Sequence, residues 1–203
     1  MPGDDLKPHH LPPPQGGKLE MVRLSSAPVF VPPLPLDYCL RLLGQGEETA
    51  YAALYRQVFD DMSRLGEMPG KTLPGGCFVV EHMPTRRLVA SCRAYLGTGH
   101  ARHPAGGQLA WLVTDPAYGR KGLGTIVAAA VTNRLAEAGY RQPFLRTDDG
   151  RLPAISIYLR LGWQASLYSA DMHRRWRRVF AALGLAEHAP PEHALPAERT
   201  PDV

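Results

Sequence analysis

The chain of 203 residues has no apolar run near the roughly 18 residues that a membrane span needs, so a helical membrane protein is not the expected class. Cysteine is scarce. Cys39, Cys77 and Cys92 show no CxxC spacing, which argues against a disulfide framework or a structural zinc site, and their place in strand-like runs predicts buried thiols. The N-terminus lacks a continuous apolar segment followed by a small-residue cleavage site, so the expected location is cytoplasmic. Two nucleotide signatures are missing as well. The "GKT" at 70–72 would need a glycine five places before Gly70 to make a Walker loop, and Leu65 stands there. A dinucleotide fingerprint would need a glycine three places after Gly124, and Val127 stands there. ATP and NAD are disfavoured.

What is present is a mildly basic chain, formal net charge +4, which suits an anionic ligand as well as a nucleic acid. Proline marks its boundaries. Nine of the twenty prolines lie in residues 1–36 and four in 186–203, leaving seven for everything between. This predicts a Pro-rich extension over 1–36, disordered at its start, a single domain over 37–185 and a disordered tail over 186–203. Part of "MVRLSSAPVFVPPLPL" is apolar enough to lie against the domain.

Within that domain, "DYCLRLL" alternates like a strand, and Tyr51, Leu54, Tyr55, Val58, Phe59 and Met62 form one stripe of an amphipathic helix over about 47–65, ended by Gly66, Pro69 and Gly70. "GCFVVEH" (76–82) and "RLVASCRAYL" (87–96) read as a hairpin turning at "MPTR". "QLAWLVT" (108–114) is mostly apolar, as a central strand would be. The stretch "DPAYGRKGLGT" (115–125) follows it, and then Leu123, Ile126, Val127, Ala130, Val131 and Leu135 continue at helical spacing to Gly139.

Strand, glycine loop, helix is an order with a physical meaning. The first N–H groups of a helix have no partner inside it, and their dipoles favour an anion in front of them. Gly122 and Gly124 let backbone approach a bulky diphosphate, and Arg120 and Lys121 add positive charge. A second segment, "TDDGRLPAISIYLRLGW" (147–163), follows the strand run "PFLRT", with Pro153 in the first turn of a short helix that Gly162 stops.

Together, "GLGT" after an apolar strand and "AISIYLRLGW" resemble the GNAT superfamily of N-acetyltransferases. Val113, Asp115 and Pro116 approximate that family's strand ending, Gly122 and Gly124 match its [QR]-x-x-G-x-[GA] loop, and Ala154, Tyr158, Gly162 and Trp163 match its second motif. Gly119 stands where the loop usually has Gln or Arg, and Arg151 where Asn is common. The resemblance covers about 37–165 and implies an α/β fold, a twisted mixed β-sheet flanked by α-helices. It further implies acetyl-CoA as co-substrate, held by Val113, Thr114, Arg120, Lys121, Gly122, Gly124 and Thr125, with an acetyl group passing directly to a primary amine.

In that reading the amides around Val113 hold the thioester oxygen, and Tyr158 protonates the leaving thiolate, phenol and thiol pKa values lying about 1.5 units apart. The base stays open between Glu81, Asp148, Asp149 and a water chain. The alternative function is a non-catalytic CoA-binding sensor or interaction domain. His100 and His103 form H-x-x-H in a Gly-rich loop with no further ligand near in sequence, so no metal is expected. Arg174, Arg175, Arg177 and Arg178 on a helix over about 170–183 read as a solvated basic face, so neither nucleic acid nor membrane is an expected partner. A homodimer is left open, and so is the way the sheet closes, because a helix-like run stands where many relatives have a last strand.

Overall fold

The computed structural model describes residues 17–59, 62, 63 and 65–189. The disorder expected at 1–16 and 190–203 lies outside the described residues. The elements are β1 (Leu19–Val22), β2 (Tyr38–Leu42), α1 (Glu48–Tyr55), α2 (Met68–Lys71), β3 (Thr72–His82), β4 (Arg87–Tyr95), β5 (Gln108–Thr114), α3 (Leu123–Glu137), β6 (Phe144–Thr147), α4 (Leu152–Arg160), β7 (Gln164–Ala165) and α5 (Ala170–Ala182). Among the described residues seven strands form one sheet in the order β2-β3-β4-β5-β6-β1-β7. Every neighbouring pair is antiparallel except β5 and β6. This is the mixed sheet with flanking helices that the sequence predicts.

The N-terminal boundary at residue 37 needs correction. Leu19–Val22 is an interior strand, paired with β6 on one side and β7 on the other, and Leu19 and Met21 are fully buried. It closes the sheet where the chain beyond β7 turns into α5 instead of a further strand. Four residues carry too short an alternation to be recognised beside so many prolines. After β1 the chain lies along α3: Val29 exchanges two hydrogen bonds with Asn133, at 2.7 and 3.0 Å, and Val29, Val31 and Leu34 pack on the core. With the sheet on one side and this segment on another, α3 is buried nearly all round, and it ends at Gly139, whose φ of 86° matches the expected C′ glycine.

The first helix is shorter than its apolar stripe. It stops at Tyr55, where bonds from Gln57 to Leu54 and from Val58 to Tyr55 tighten the turn. Phe59 then stacks back on Tyr55 and meets Trp111. Pro69 and Gly70 lie inside the short α2 rather than ending α1, and β3 begins at Thr72, four residues earlier than expected, with an irregularity between Thr72 and Cys77. Of the three thiols only Cys92 is buried; Cys39 and Cys77 are half-exposed, because β2 is an edge strand and Cys77 follows that irregularity.

Two cores result. Ala90, Cys92 and Ala94 of β4 pack with Ile126, Val127 and Val131 of α3 and with Ile155 and Tyr158 of α4 in one cluster. Tyr51, Leu54 and Tyr55 of α1 pack with Val79, Leu88 and Val113 in the other. Strand β4 is buried along nearly its whole length, because both faces are covered.

Candidate active site

Among the described residues the two parallel strands β5 and β6 are paired only at Gln108–Phe144 and Leu109–Leu145, so from Ala110 onward β5 has no described partner on that side. The cause lies in the chain just beyond. The ladder between β4 and β5 slips between Ser91 and Arg93, placing Trp111 and Leu112 opposite Cys92, and Trp111 takes a φ of 57°. An extra residue of this kind bends its strand and sharpens its twist, and here it turns β5 away from β6. A gap opens at the carboxyl ends of two parallel strands, where open α/β sheets place their ligands.

Val113 and Thr114 lie on this stretch of β5, and the glycine loop follows it. The Asp115 amide donates to Val89 of β4 at 2.8 Å, so strand alternation turns the Thr114 N–H into the gap and the Val113 N–H back toward β4. Val113 buries its side chain in the α1 core. Asp115 caps the turn after β5 by accepting from the Ala117 amide at 2.9 Å, a turn role. The loop then passes through two left-handed residues, Arg120 at φ 60° and Gly122 at φ 77°. Gly122 is the N-cap of α3 and offers no side chain to the first amides of the helix. These N–H groups have no intrahelical partner, and a Cβ on Gly122 would meet nothing within 4 Å among the described residues. Among the described residues Arg120 and Lys121 are exposed and make no ion pair or hydrogen bond. The donor set fits a diphosphate: uncapped amides, a positive helix end and two free cations.

Gly124 serves a different purpose from Gly122. It is buried, and a Cβ there would stand 3.1 Å from Thr114 Oγ1 and 3.2 Å from Ile157 Cδ1. Its missing side chain lets α3, β5 and α4 meet at one point. Thr125, one residue on, lines a groove beside the seat.

Tyr158 lies on α4 next to Ile157, 6% exposed, and its hydroxyl makes no hydrogen bond among the described residues. Burial pushes its pKa far above the ordinary phenol range; the Cys92 thiol adds to the rise and Arg151 opposes it. The near match of phenol and thiol pKa values expected from sequence therefore does not hold for the buried side chain, which is neutral at all ordinary pH.

The candidate bases are not brought to this gap as free carboxylates. Glu81 is buried at the β2 edge, bound by Arg41 at 2.8 Å and Arg86 at 2.9 Å. Asp148 is paired with Lys18 at 2.5 Å and Arg151 at 3.4 Å, and Asp149 takes both arms of Arg175. Arg175 is thereby buried, so the basic face of α5 is solvated only at Arg174, Arg177 and Arg178.

Sequence also missed what meets the H-x-x-H pair. Glu20, on β1, is fully buried and lies 3.4 Å from His100 Nε2 and 3.1 Å from His103 Nε2, a grouping of metal-ligand type. Arg102 holds the same carboxylate with two hydrogen bonds and Arg146 stands 3.7 Å away, so two guanidinium groups already supply the positive charge that a cation would. Eighty residues separate Glu20 from these histidines, and no local pattern announces the contact.

The family description FR47-like protein matches residues 95–176, the span from the end of β4 into the first half of α5 that holds the loop and Tyr158. A mycothiol acetyltransferase of Arthrobacter sp. (strain FB24) is 29% identical over 167 residues, covering 74% of this chain and 51% of its own length. The chain thus spans about half the length of that curated relative. A GCN5-related N-acetyltransferase from Sphaerobacter thermophilus superposes with a TM-score of 0.60 at 17% identity, over 74% of this chain and 50% of that one. A GNAT-family structure from Novosphingobium aromaticivorans gives 0.53 at 20% identity, over 79% and 67%. The chain thus shares the fold of these acetyltransferase structures, and the segment that matches the FR47-like description holds both the glycine loop and the stretch from Ala154 to Trp163.

Proposed function

We propose that the protein transfers an acetyl group from acetyl-CoA to a primary amine. What supports this reading is the gap between β5 and β6 beside the uncapped start of α3, with Tyr158 on α4, the helix that meets α3 and β5 at Gly124. Bound there, the thioester supplies an activated acyl group. The amides at the start of α3, with Arg120 and Lys121, hold the diphosphate. The Thr114 N–H offers a hydrogen bond to a carbonyl oxygen in the gap, favouring it as negative charge develops. Tyr158, kept neutral by burial, holds its proton until a strong base is formed beside it; a desolvated thiolate is such a base.

Proton removal from the amine falls to water, since Glu81, Asp148 and Asp149 are each engaged by a cation. That engagement is also the one observation favouring the second reading, a CoA-binding domain without turnover. The mycothiol acetyltransferase among the relatives places mycothiol-type amines in the acceptor panel beside amino acids, aminoglycosides and peptides. Release of free thiol over many turnovers with one acceptor supports the enzyme. Tight acetyl-CoA binding with no turnover across the panel supports the sensor.

A further inference from the structure

Beside the anion seat runs a groove of about 460 Å³ whose walls come from three separated parts of the chain: Gly122 and Thr125 of the seat, Arg160 at the end of α4, and Phe30 and Pro32 of the segment that follows β1. That segment is fixed in place. Asn133 binds Val29 on both sides of its peptide unit, and the buried Arg23 guanidinium donates to the carbonyls of Ser25 and Ala27. Val29 and Val31 turn inward onto the core, so the residue between them faces out: Phe30 is 79% exposed. An aromatic ring held in solvent by an anchored backbone, on the wall of a groove that opens onto an anion seat, has the form of a stacking platform. On the same groove Arg160 is exposed, and its side chain makes no ion pair or hydrogen bond among the described residues.

We propose that residues 27–32 form the outer wall of the nucleotide end of the coenzyme site, with Phe30 stacking on the adenine ring and Arg160 holding the 3′-phosphate. This rests on the acetyl-CoA reading of the seat. With the diphosphate on the α3 amides and the thioester arm in the gap between β5 and β6, the adenosine 3′-phosphate is left for the groove, and its two recognisable parts, a flat π-face and a dianion, match the two side chains. The N-terminal segment is then part of the binding site as well as a cover for α3, and it lets the protein distinguish coenzyme A from shorter carriers of the same thioester.

Calorimetry on the full chain separates the possibilities, using acetyl-CoA, acetyl-dephospho-CoA and S-acetyl-4′-phosphopantetheine. Phe30→Ala should weaken acetyl-CoA about tenfold, equivalent to about 1.4 kcal/mol, and leave the phosphopantetheine thioester unchanged. Arg160→Gln should bring acetyl-CoA and its dephospho form to equal affinity. Both side chains are exposed, so circular dichroism and melting temperature should match wild type. Wild-type binding of acetyl-CoA with an unaltered Phe30→Ala affinity overturns the platform, and a preserved preference for the 3′-phosphate in Arg160→Gln overturns that contact. A wild-type protein that binds none of the three compounds instead overturns the reading of the seat itself.

Discussion

Gly124 and Thr114 touch: a Cβ added to the glycine would lie 3.1 Å from the threonine Oγ1, with Ile157 Cδ1 at 3.2 Å on the other side. The contact joins the first turn of α3 to the end of β5 and to α4, and it sets how closely the helix start approaches the strand gap. Gly124→Val should therefore lower stability by about 1–3 kcal/mol through overpacking, a fall of roughly 2–12 °C in melting temperature at this chain length. A native melting temperature would show that this junction is loosely packed.

Tyr158→Phe keeps the ring in its buried place and removes a hydroxyl that has no hydrogen-bond partner among the described residues. Thermal stability should hardly move. If proton delivery limits the rate, kcat should fall by about 10²–10⁴ while acetyl-CoA affinity stays near wild type. Full kcat in a folded variant makes Tyr158 a packing residue.

The ion cluster at Glu20 should give stability a defined acid dependence. Burial raises the Glu20 pKa, but hydrogen bonds from Arg102 and His103 outweigh it and hold the carboxyl below its ordinary 4.5; burial holds His100 below its ordinary 6.5. Both groups bind protons more readily when unfolded, so stability is greatest above about pH 6.5 and declines on acidification, first through His100 and then, below about 4.5, through Glu20. Glu20→Gln should lower stability at pH 7 and flatten the lower limb of a plot of melting temperature against pH. An unchanged lower limb in that variant would remove Glu20 from the acid response.

Truncation tests the N-terminal boundary. Deleting residues 1–16 stops short of Gly17, whose carbonyl accepts from Arg175, and should leave the melting temperature within about 2 °C. Deleting 1–23 removes β1 from between β6 and β7 together with the Arg23 guanidinium, and should abolish cooperative unfolding. A cooperative transition in the longer deletion would mean that β6 and β7 close the sheet by themselves.

Local signals agree with the fold wherever a short stretch carries its own instruction. The alternation in β2, the hairpin of β3 and β4, the helical spacing from Leu123 to Leu135 and the stop glycines at 139 and 162 each rest on backbone preference or on which face is apolar. The glycine loop before α3 belongs with them, because an uncapped helix start is a property of a few consecutive residues.

Long-range packing decided the rest. No pattern in "LEMV" says that it will lie between β6 and β7, since a strand of four residues gains its stability from partners more than a hundred positions away. The helix expected to run to residue 65 ends at Tyr55 because Phe59 does better against Tyr55 and Trp111 than in another helical turn. Glu81 and Asp148 looked free as letters and are occupied in space, for a carboxylate's availability depends on which cations the fold sets beside it. The sequence determined where strands, turns and an anion seat could form. Only the tertiary structure decided that β5 leaves β6 at Ala110, that Gly124 is a packing contact and that the segment after β1 reaches the groove, because each is a meeting of residues that the chain keeps far apart.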